Sequence, residues 1–249
     1  MEVNLLKSFG EEIDVVNAAR VSFDKESKLK EGGILSERDQ KLIKYLAENN
    51  HWTPFSHVGA SFRIKAPIFV ARQLWKSHVG SSGGDISAWN ETSRRYVDTD
   101  PEFYVPQKNR WRKRAEDKKQ GSGETFVPQL PHPEEGLGSE DLWGDFDNKH
   151  NPSLHVEYLF YNLKQMYQEL IKAGVCPEQA RMVLPQAMYT EWWWSGSLSF
   201  FSRVCDLRCD SHTQLETQEI ANQISSHMEK LFPICWGFLR GKMDERENF

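Results

Sequence analysis

"HVGASFRIKAPIFVARQLWKSHV", residues 57–79, changes its periodicity partway along. Residues 57–66 alternate well enough for a strand. Pro67 can then open a helix, because the first helical turn has no use for the N–H that proline lacks. The helix expected over "PIFVARQLWKSHV" sets Arg72, Gln73, Lys76, Ser77 and His78 within seven positions. A core helix has no need of so many polar groups, so this stretch is both a structural junction and a candidate site.

The flanking segments set the balance of the fold. Upstream, "EVNLLKS" (2–8) reads as a short strand, and "EEIDVVNAAR" (11–20) as a helix with Ile13, Val16, Ala19 and Arg20 at helical spacing. "LSERDQKLIKYLAENN" (35–50) is a stronger helix, with Ser36 as N-cap, Asp39 three positions on, and an apolar stripe of Leu42, Ile43 and Leu46. Downstream comes a Gly/Ser-rich loop, "GSSGGDISA" (80–88). Residues 105–153 begin basic ("KNRWRKRAEDKK") and turn Gly/Pro-rich and acidic ("PHPEEGLGSEDLWGD"), as a surface insertion would. "HVEYLFYNLKQMYQELIKAG" (155–174) holds a continuous helical stripe, and Gly174 suits its C-terminal stop. Further helices are expected from Pro177, over about 196–207, and over about 213–231. No internal repeat is visible. The expectation is an α+β fold, helix-rich and packed on a small, mostly antiparallel sheet, in one domain of residues 1–249 with an insertion at about 105–153.

Composition excludes more than it names. With 249 residues, 39% hydrophobic and 12% aromatic, the chain has enough apolar material for a real core. A formal net charge of -5 argues against wholesale nucleic-acid binding. No apolar run approaches the roughly 20 residues that cross a bilayer, and the N-terminus lacks the layout of a signal peptide. Four cysteines make no disulfide scaffold at this length, and free thiols in a reducing cytoplasm are the simpler expectation.

Three groups of residues can carry chemistry: the 72–78 cluster, "WNETSRRYV" (89–97), and arginines on otherwise apolar helices, namely Arg181, Arg203 and Arg208. An arginine among apolar neighbours must find an anion or a carbonyl, because an unpaired buried charge is very costly. Its planar fork matches phosphate oxygens or a pyrimidine edge better than lysine does. The plainer alternative pairs each arginine with a nearby Glu or Asp. "RVCDLRCDSHTQ" (203–214) allows another reading. There Cys205, Cys209 and His212 sit at i, i+4 and i+7, where they could hold zinc. The basic run 108–119 could then grip nucleic acid. Against this, no second close ligand pair accompanies them, whereas structural zinc sites usually show paired short spacings. "GSSGGD" lacks the Lys-Ser/Thr pair of a phosphate loop. "WWW" (192–194) fits a core or a subunit interface.

Five ordered motifs point further. "HWTPFSH" (51–57), "APIFVARQLWKSH" (66–78), "WNETSRRY" (89–96), "ARMVLPQAMYTEWWW" (180–194) and "CDLRCDSHTQLETQ" (205–218) together resemble the flavin-dependent thymidylate synthases, over about residues 13–240. The resemblance implies synthesis of dTMP from dUMP. Methylenetetrahydrofolate would be the carbon donor, FAD would carry hydride from NADPH, and tetrahydrofolate would be released. The expectations are no metal, no membrane or nucleic-acid partner, and a cytoplasmic location (the host's cytoplasm for a viral protein), and the resemblance implies a homotetramer with sites built between subunits. No cysteine nucleophile is needed.

Carried over by position, Arg208 matches the arginine that favours ionisation of the uracil at N3. Gln73, Leu74, Trp75, Lys76, Glu91, Ser93, Arg94, Arg95 and Arg181 match positions that bind dUMP. Thr53, Lys76, Ser77, His78, Glu91, Ser197, Leu198, Ser199 and Arg203 match positions that bind FAD, and His51 is a candidate for the folate or nicotinamide face. The chain also departs from the family pattern. Lys76-Ser77-His78 replaces the usual Arg-His-Arg, Ser197 and Arg203 stand where asparagines are common, and the loop before Asn90 is longer.

Overall fold

A computed structural model describes residues 1–78, 86–97, 99–116, 121–128 and 151–241. Its strands are β1 (Glu2–Phe9), β2 (Gly59–Pro67), β3 (Ser87–Glu91), β4 (Arg112–Arg114), β5 (Ser122–Thr125) and β6 (Tyr189–Ser197). Its helices are α1 (Glu12–Arg20), α2 (Glu37–Glu48), α3 (Ile68–Trp75), α4 (Pro152–Lys172), α5 (Pro177–Ala180), α6 (Leu198–Arg208), α7 (Leu215–Leu231) and α8 (Pro233–Leu239). They form two compact units. One comprises Met1–Lys65, Arg72–Glu91 and Glu191–Phe249, and the other Ala66–Ala71 and Thr92–Thr190.

The first unit is built on a four-stranded sheet in the order β1-β2-β6-β3. β1 runs antiparallel to β2, with Glu2 opposite Lys65 and Phe9 opposite Gly59. β3 runs antiparallel to β6, with Trp89 opposite Trp194. Between the central strands the Ser61 and Ser195 hydroxyls meet at 2.8 Å and Arg63 pairs with Glu191, so these strands also run in opposite directions. Their closest approach depends on glycine: a Cβ on Gly59 would lie 2.2 Å from the Gly196 carbonyl oxygen.

Strand alternation places the core. Phe62 and Ile64 on β2 and Trp192 and Trp194 on β6 are buried, whereas Arg63 and Trp193 between them are exposed. Phe201 of α6 packs edge-on against Phe62 at 5.2 Å and against Trp194 at 5.3 Å. α7 packs against α6 and buries Ile220, Ala221, Ile224 and Met228. Burial of each Ile, Met or Phe side chain among these contributes about 1.5–3 kcal/mol.

Polar anchors fix the helix ends. Ser36 caps α2 by accepting the Asp39 N–H, and Asp39 also takes hydrogen bonds from Ser27 and from the Arg20 guanidinium. Glu12 of α1 accepts the N–H groups of Ile234 and Cys235, both at 2.7 Å, and so caps α8.

In the second unit, β4 and β5 pair as an antiparallel hairpin. Beside it, Trp111 Nε1 donates to the Ser153 hydroxyl at 3.1 Å, and that hydroxyl donates to the Pro106 carbonyl at 2.6 Å. Phe103 packs on Phe160 of α4 at 5.1 Å, and Lys164 of α4 pairs with Asp100 at 2.7 Å. The described part of 105–153 is therefore built into this unit at Trp111. Residues 117–120 and 129–150 of that segment lie outside the described residues.

The structure bears out the α+β expectation and shifts several boundaries. Pro67 closes β2 instead of opening a helix, and α3 begins at Ile68. α4 begins at Pro152, where the Asn151 side chain accepts the Ser153 N–H. Ser87 and Ala88, expected in a loop, belong to β3, and "WWW" lies in β6. The rest of that loop, residues 80–85, lies outside the described residues. No helix among the described residues is long and apolar enough to cross a membrane.

Candidate functional site

In the first unit, α3 and the short turn Lys76–His78 carry polar groups towards the end of α6 and the start of α7. Arg208, the last residue of α6, is half-buried and donates from Nε to the Ser77 hydroxyl at 3.3 Å. Burial pulls its guanidinium below the usual arginine range. It forms no ion pair with any carboxylate among the described residues. Gln73 is half-buried, with its amide nitrogen donating to Gln214 and its oxygen accepting the Thr217 hydroxyl at 3.1 Å. The structure thus brings Arg208 to Ser77, and Gln73 to Gln214 and Thr217.

His78 occupies an aromatic box. Its ring centroid lies 4.8 Å from Trp75, 5.7 Å from Trp194 and 5.4 Å from Phe200, and the Ser87 hydroxyl is bonded to Nδ1 at 2.9 Å. Burial holds its pKa below the ordinary histidine value. Trp89 stacks on Trp192 at 4.5 Å and meets Trp75 edge-on at 5.5 Å, while Trp75 is 43% exposed. This half-exposed aromatic wall offers a planar ligand a face to lie on. Glu91, at the end of β3, is exposed and accepts weakly from Trp89 Nε1 at 3.4 Å.

The remaining sequence-derived flavin positions divide by burial. Ser197 is fully buried and caps α6 by accepting the Phe200 N–H at 3.2 Å. Ser199 bonds Ser197 at 3.0 Å and Ser56 at 2.8 Å. Leu198, like Leu74 among the dUMP positions, has no exposed surface. Thr53 and Lys76 are exposed, and Arg203 is half-buried with its guanidinium 5.7 Å over Phe200. His51 is exposed, edge-on to Tyr45 at 5.7 Å. Two cations, a hydroxyl and an aromatic face fit a flavin dinucleotide in donor type. The hydroxyls of Ser77, Ser197 and Ser199, in contrast, are engaged within the fold.

In the second unit, the Ser93 hydroxyl accepts from both the N–H and the Nε of Arg95, at 3.3 and 3.2 Å. Arg95 lies 3.9 Å from Glu178 and 4.9 Å over the Tyr96 ring. Arg94 donates to the carbonyls of Thr99 and Asp100. Arg181 is exposed in the turn after α5.

The structure does not support the zinc alternative. α6 ends at Arg208, so Cys209 caps it and His212 lies beyond it in a turn, bonded to Asp210 at 2.8 Å. The i, i+7 relation of Cys205 to His212 is therefore not realised. Cys205 is fully buried, which pushes its thiol well up, and it donates weakly to the Ala221 carbonyl. No group of three possible metal ligands occurs among the described residues.

Sequence reasoning missed Gln214 and Thr217 as partners of Gln73, and Glu216 as the acceptor behind Gln214. Their signal was present: polar residues at 214, 216 and 217 open a helix whose later turns are apolar on one side.

The fold resembles that of nucleotide-methylating enzymes. A crystal structure of a UMP/dUMP methylase, PolB from Streptomyces cacaoi, bound with 5-Br dUMP, is similar with a TM-score of 0.75 and 25% identity. The match covers 96% of this chain and 94% of that one. Residues 4–234 match the family described as "Thymidylate synthase complementing protein". A flavin-dependent thymidylate synthase from Kosmotoga olearia is 34% identical over 94% of this chain and 87% of its own length. One from Thermosipho africanus is 34% identical over 95% and 88% respectively. The chain belongs to the flavin-dependent thymidylate synthase family.

Proposed function

We propose that the chain converts dUMP to dTMP, with methylenetetrahydrofolate as carbon donor, a bound FAD, and NADPH as the source of reducing equivalents. Thymidylate synthesis follows from the family. The single observation that carries the site assignment is Arg208, a half-buried cation with no acid partner among the described residues, fixed by Ser77. An anionic ligand would compensate it. Beside N3 of a uracil ring, it favours loss of the N3 proton and pushes electron density towards C5, the carbon that attacks the one-carbon unit.

The proposed dUMP-binding positions, carried over from the family, are Gln73, Lys76, Glu91, Ser93, Arg94, Arg95 and Arg181. Arginine forks among them suit the phosphate. Lys76, Thr53 and Arg203 would hold FAD, which supplies hydride when bound. His78 packs among aromatic rings and stays neutral there, so Lys76 and Arg203 carry the positive charge that the family's paired arginines provide elsewhere. His51 is assigned to the folate or nicotinamide face.

The assembly is a homotetramer that completes each site between subunits. Leu5, Leu6 and Trp193 support this, since all three are large apolar groups left exposed on the strands of one sheet. Because the C5–H bond of dUMP must be replaced, the test is tritium release from C5-labelled dUMP. Release should require methylenetetrahydrofolate, FAD and NADPH together. Absence of release with all of them present rejects the reading.

A further inference from the structure

We propose that Glu216 is a positioning residue for nucleotide binding, acting through Gln214 to fix which way the Gln73 amide faces. The inference rests on the assignment of Gln73 to dUMP.

Glu216 lies in the first turn of α7 and is 2% exposed. The helix dipole favours a negative charge there, and a carboxylate can only accept. Gln214 Nε2 donates to it at 2.9 Å. That commits the Gln214 amide and turns its oxygen towards Gln73, whose Nε2 donates to it. The Gln73 oxygen in turn accepts from Thr217, which is fully buried.

An amide turned over keeps its shape but exchanges its oxygen and nitrogen. Turning Gln73 alone would set its oxygen against the Gln214 oxygen. Turning both would set the Gln214 oxygen against the Glu216 carboxylate. Neither order leaves the buried acceptors satisfied. An acceptor-only group at one end therefore polarises the whole chain. Gln73 is left with one N–H and one lone pair of fixed arrangement. A ligand oxygen, from a phosphate or a uracil carbonyl, must lie opposite that N–H.

Glu216→Gln replaces the anchor with a group that can donate or accept, so both orders become accessible. The experiment is a double-mutant cycle on dUMP affinity in the flavin-loaded enzyme, read by titration calorimetry, with kcat and KM measured alongside. Glu216→Gln should weaken dUMP binding about five- to tenfold, the worth of one correctly placed hydrogen bond. Its kcat should stay within about twofold, because an interaction made equally in ground and transition states affects KM alone. Gln73→Ala should weaken binding at least as much, and adding Glu216→Gln to it should cause no further loss.

Additive losses, or wild-type affinity in Glu216→Gln, would overturn the relay. Unchanged affinity in Gln73→Ala would instead overturn the nucleotide role of Gln73, and the relay with it. Should Glu216→Gln fail to fold, Gln214→Ala cuts the same chain while leaving Glu216 in place. It should show the same non-additivity with Gln73→Ala, and additive losses there would equally overturn the relay.

Discussion

Arg208→Gln should separate activity from stability. On the stability side, the substitution removes the hydrogen bond to Ser77, worth about 1 kcal/mol. It also relieves a desolvated cation that has no acid partner among the described residues. These effects oppose each other, so the net change should stay within about 1 kcal/mol and the melting temperature within about 4 °C. On the activity side, a cation about 4 Å from a developing anion, at an effective dielectric constant near 20, contributes about 4 kcal/mol. Losing it should slow dTMP formation roughly a thousandfold. The assay pairs thermal unfolding with dTMP formation on the same preparation. A fall in melting temperature beyond about 10 °C, with activity kept within about tenfold of wild type, would show that Arg208 serves the fold and would refute the reasoning.

Three further outcomes follow from the first unit. Asp39→Asn breaks the pair with Arg20, whose side chains are 4% and 12% exposed, and should cost about 3–5 kcal/mol, or roughly 6–20 °C in melting temperature. Burial pushes the Asp39 carboxyl up, but hydrogen bonds from Ser36, Ser27 and Arg20 outweigh it and hold the pKa below the usual value. Its contribution is therefore present above about pH 4 and lost as pH falls through the lower folded value, and acid denaturation of the Asn variant should lack that component. For His78 burial lowers the pKa, so the unfolded chain takes the proton more readily. Its contribution to stability is full above about pH 6.5 and falls below it, a slope that His78→Phe should remove. Gly59→Ala would press a methyl group against backbone of β6 and the Phe9 ring, and urea unfolding should register a loss of about 1–3 kcal/mol or more.

How far the fold could be foreseen depended on length and regularity. α4 keeps its apolar stripe over 21 residues, so only its start was misplaced, and Pro152 with Asn151 explains that shift. α8 escaped notice because seven residues, "PICWGFL", are too few to show a helical period. β6 was hidden by its composition. Three consecutive tryptophans look uniform, yet the strand exposes 1%, 47% and 0% of them in turn. The site divides in the same way. Arg208 and Gln73 stood out as polar groups within apolar helices, whereas the box around His78 joins α3, β3, β6 and α6 and needed the sheet order to be seen. The zinc spacing, already disfavoured by the lack of a second ligand pair, would have needed α6 to continue past Arg208, and it does not.

The central proposal is that Arg208 favours ionisation of the nucleotide base at N3 by lowering its pKa. Ultraviolet difference titration of dUMP bound to the flavin-loaded enzyme measures this directly against free dUMP. The N3 pKa of the bound nucleotide should fall by more than about one unit in the wild type, equivalent to about 1.4 kcal/mol, and return to its free value in Arg208→Gln. Bound dUMP that titrates like free dUMP in the wild-type enzyme would contradict the mechanism at its origin.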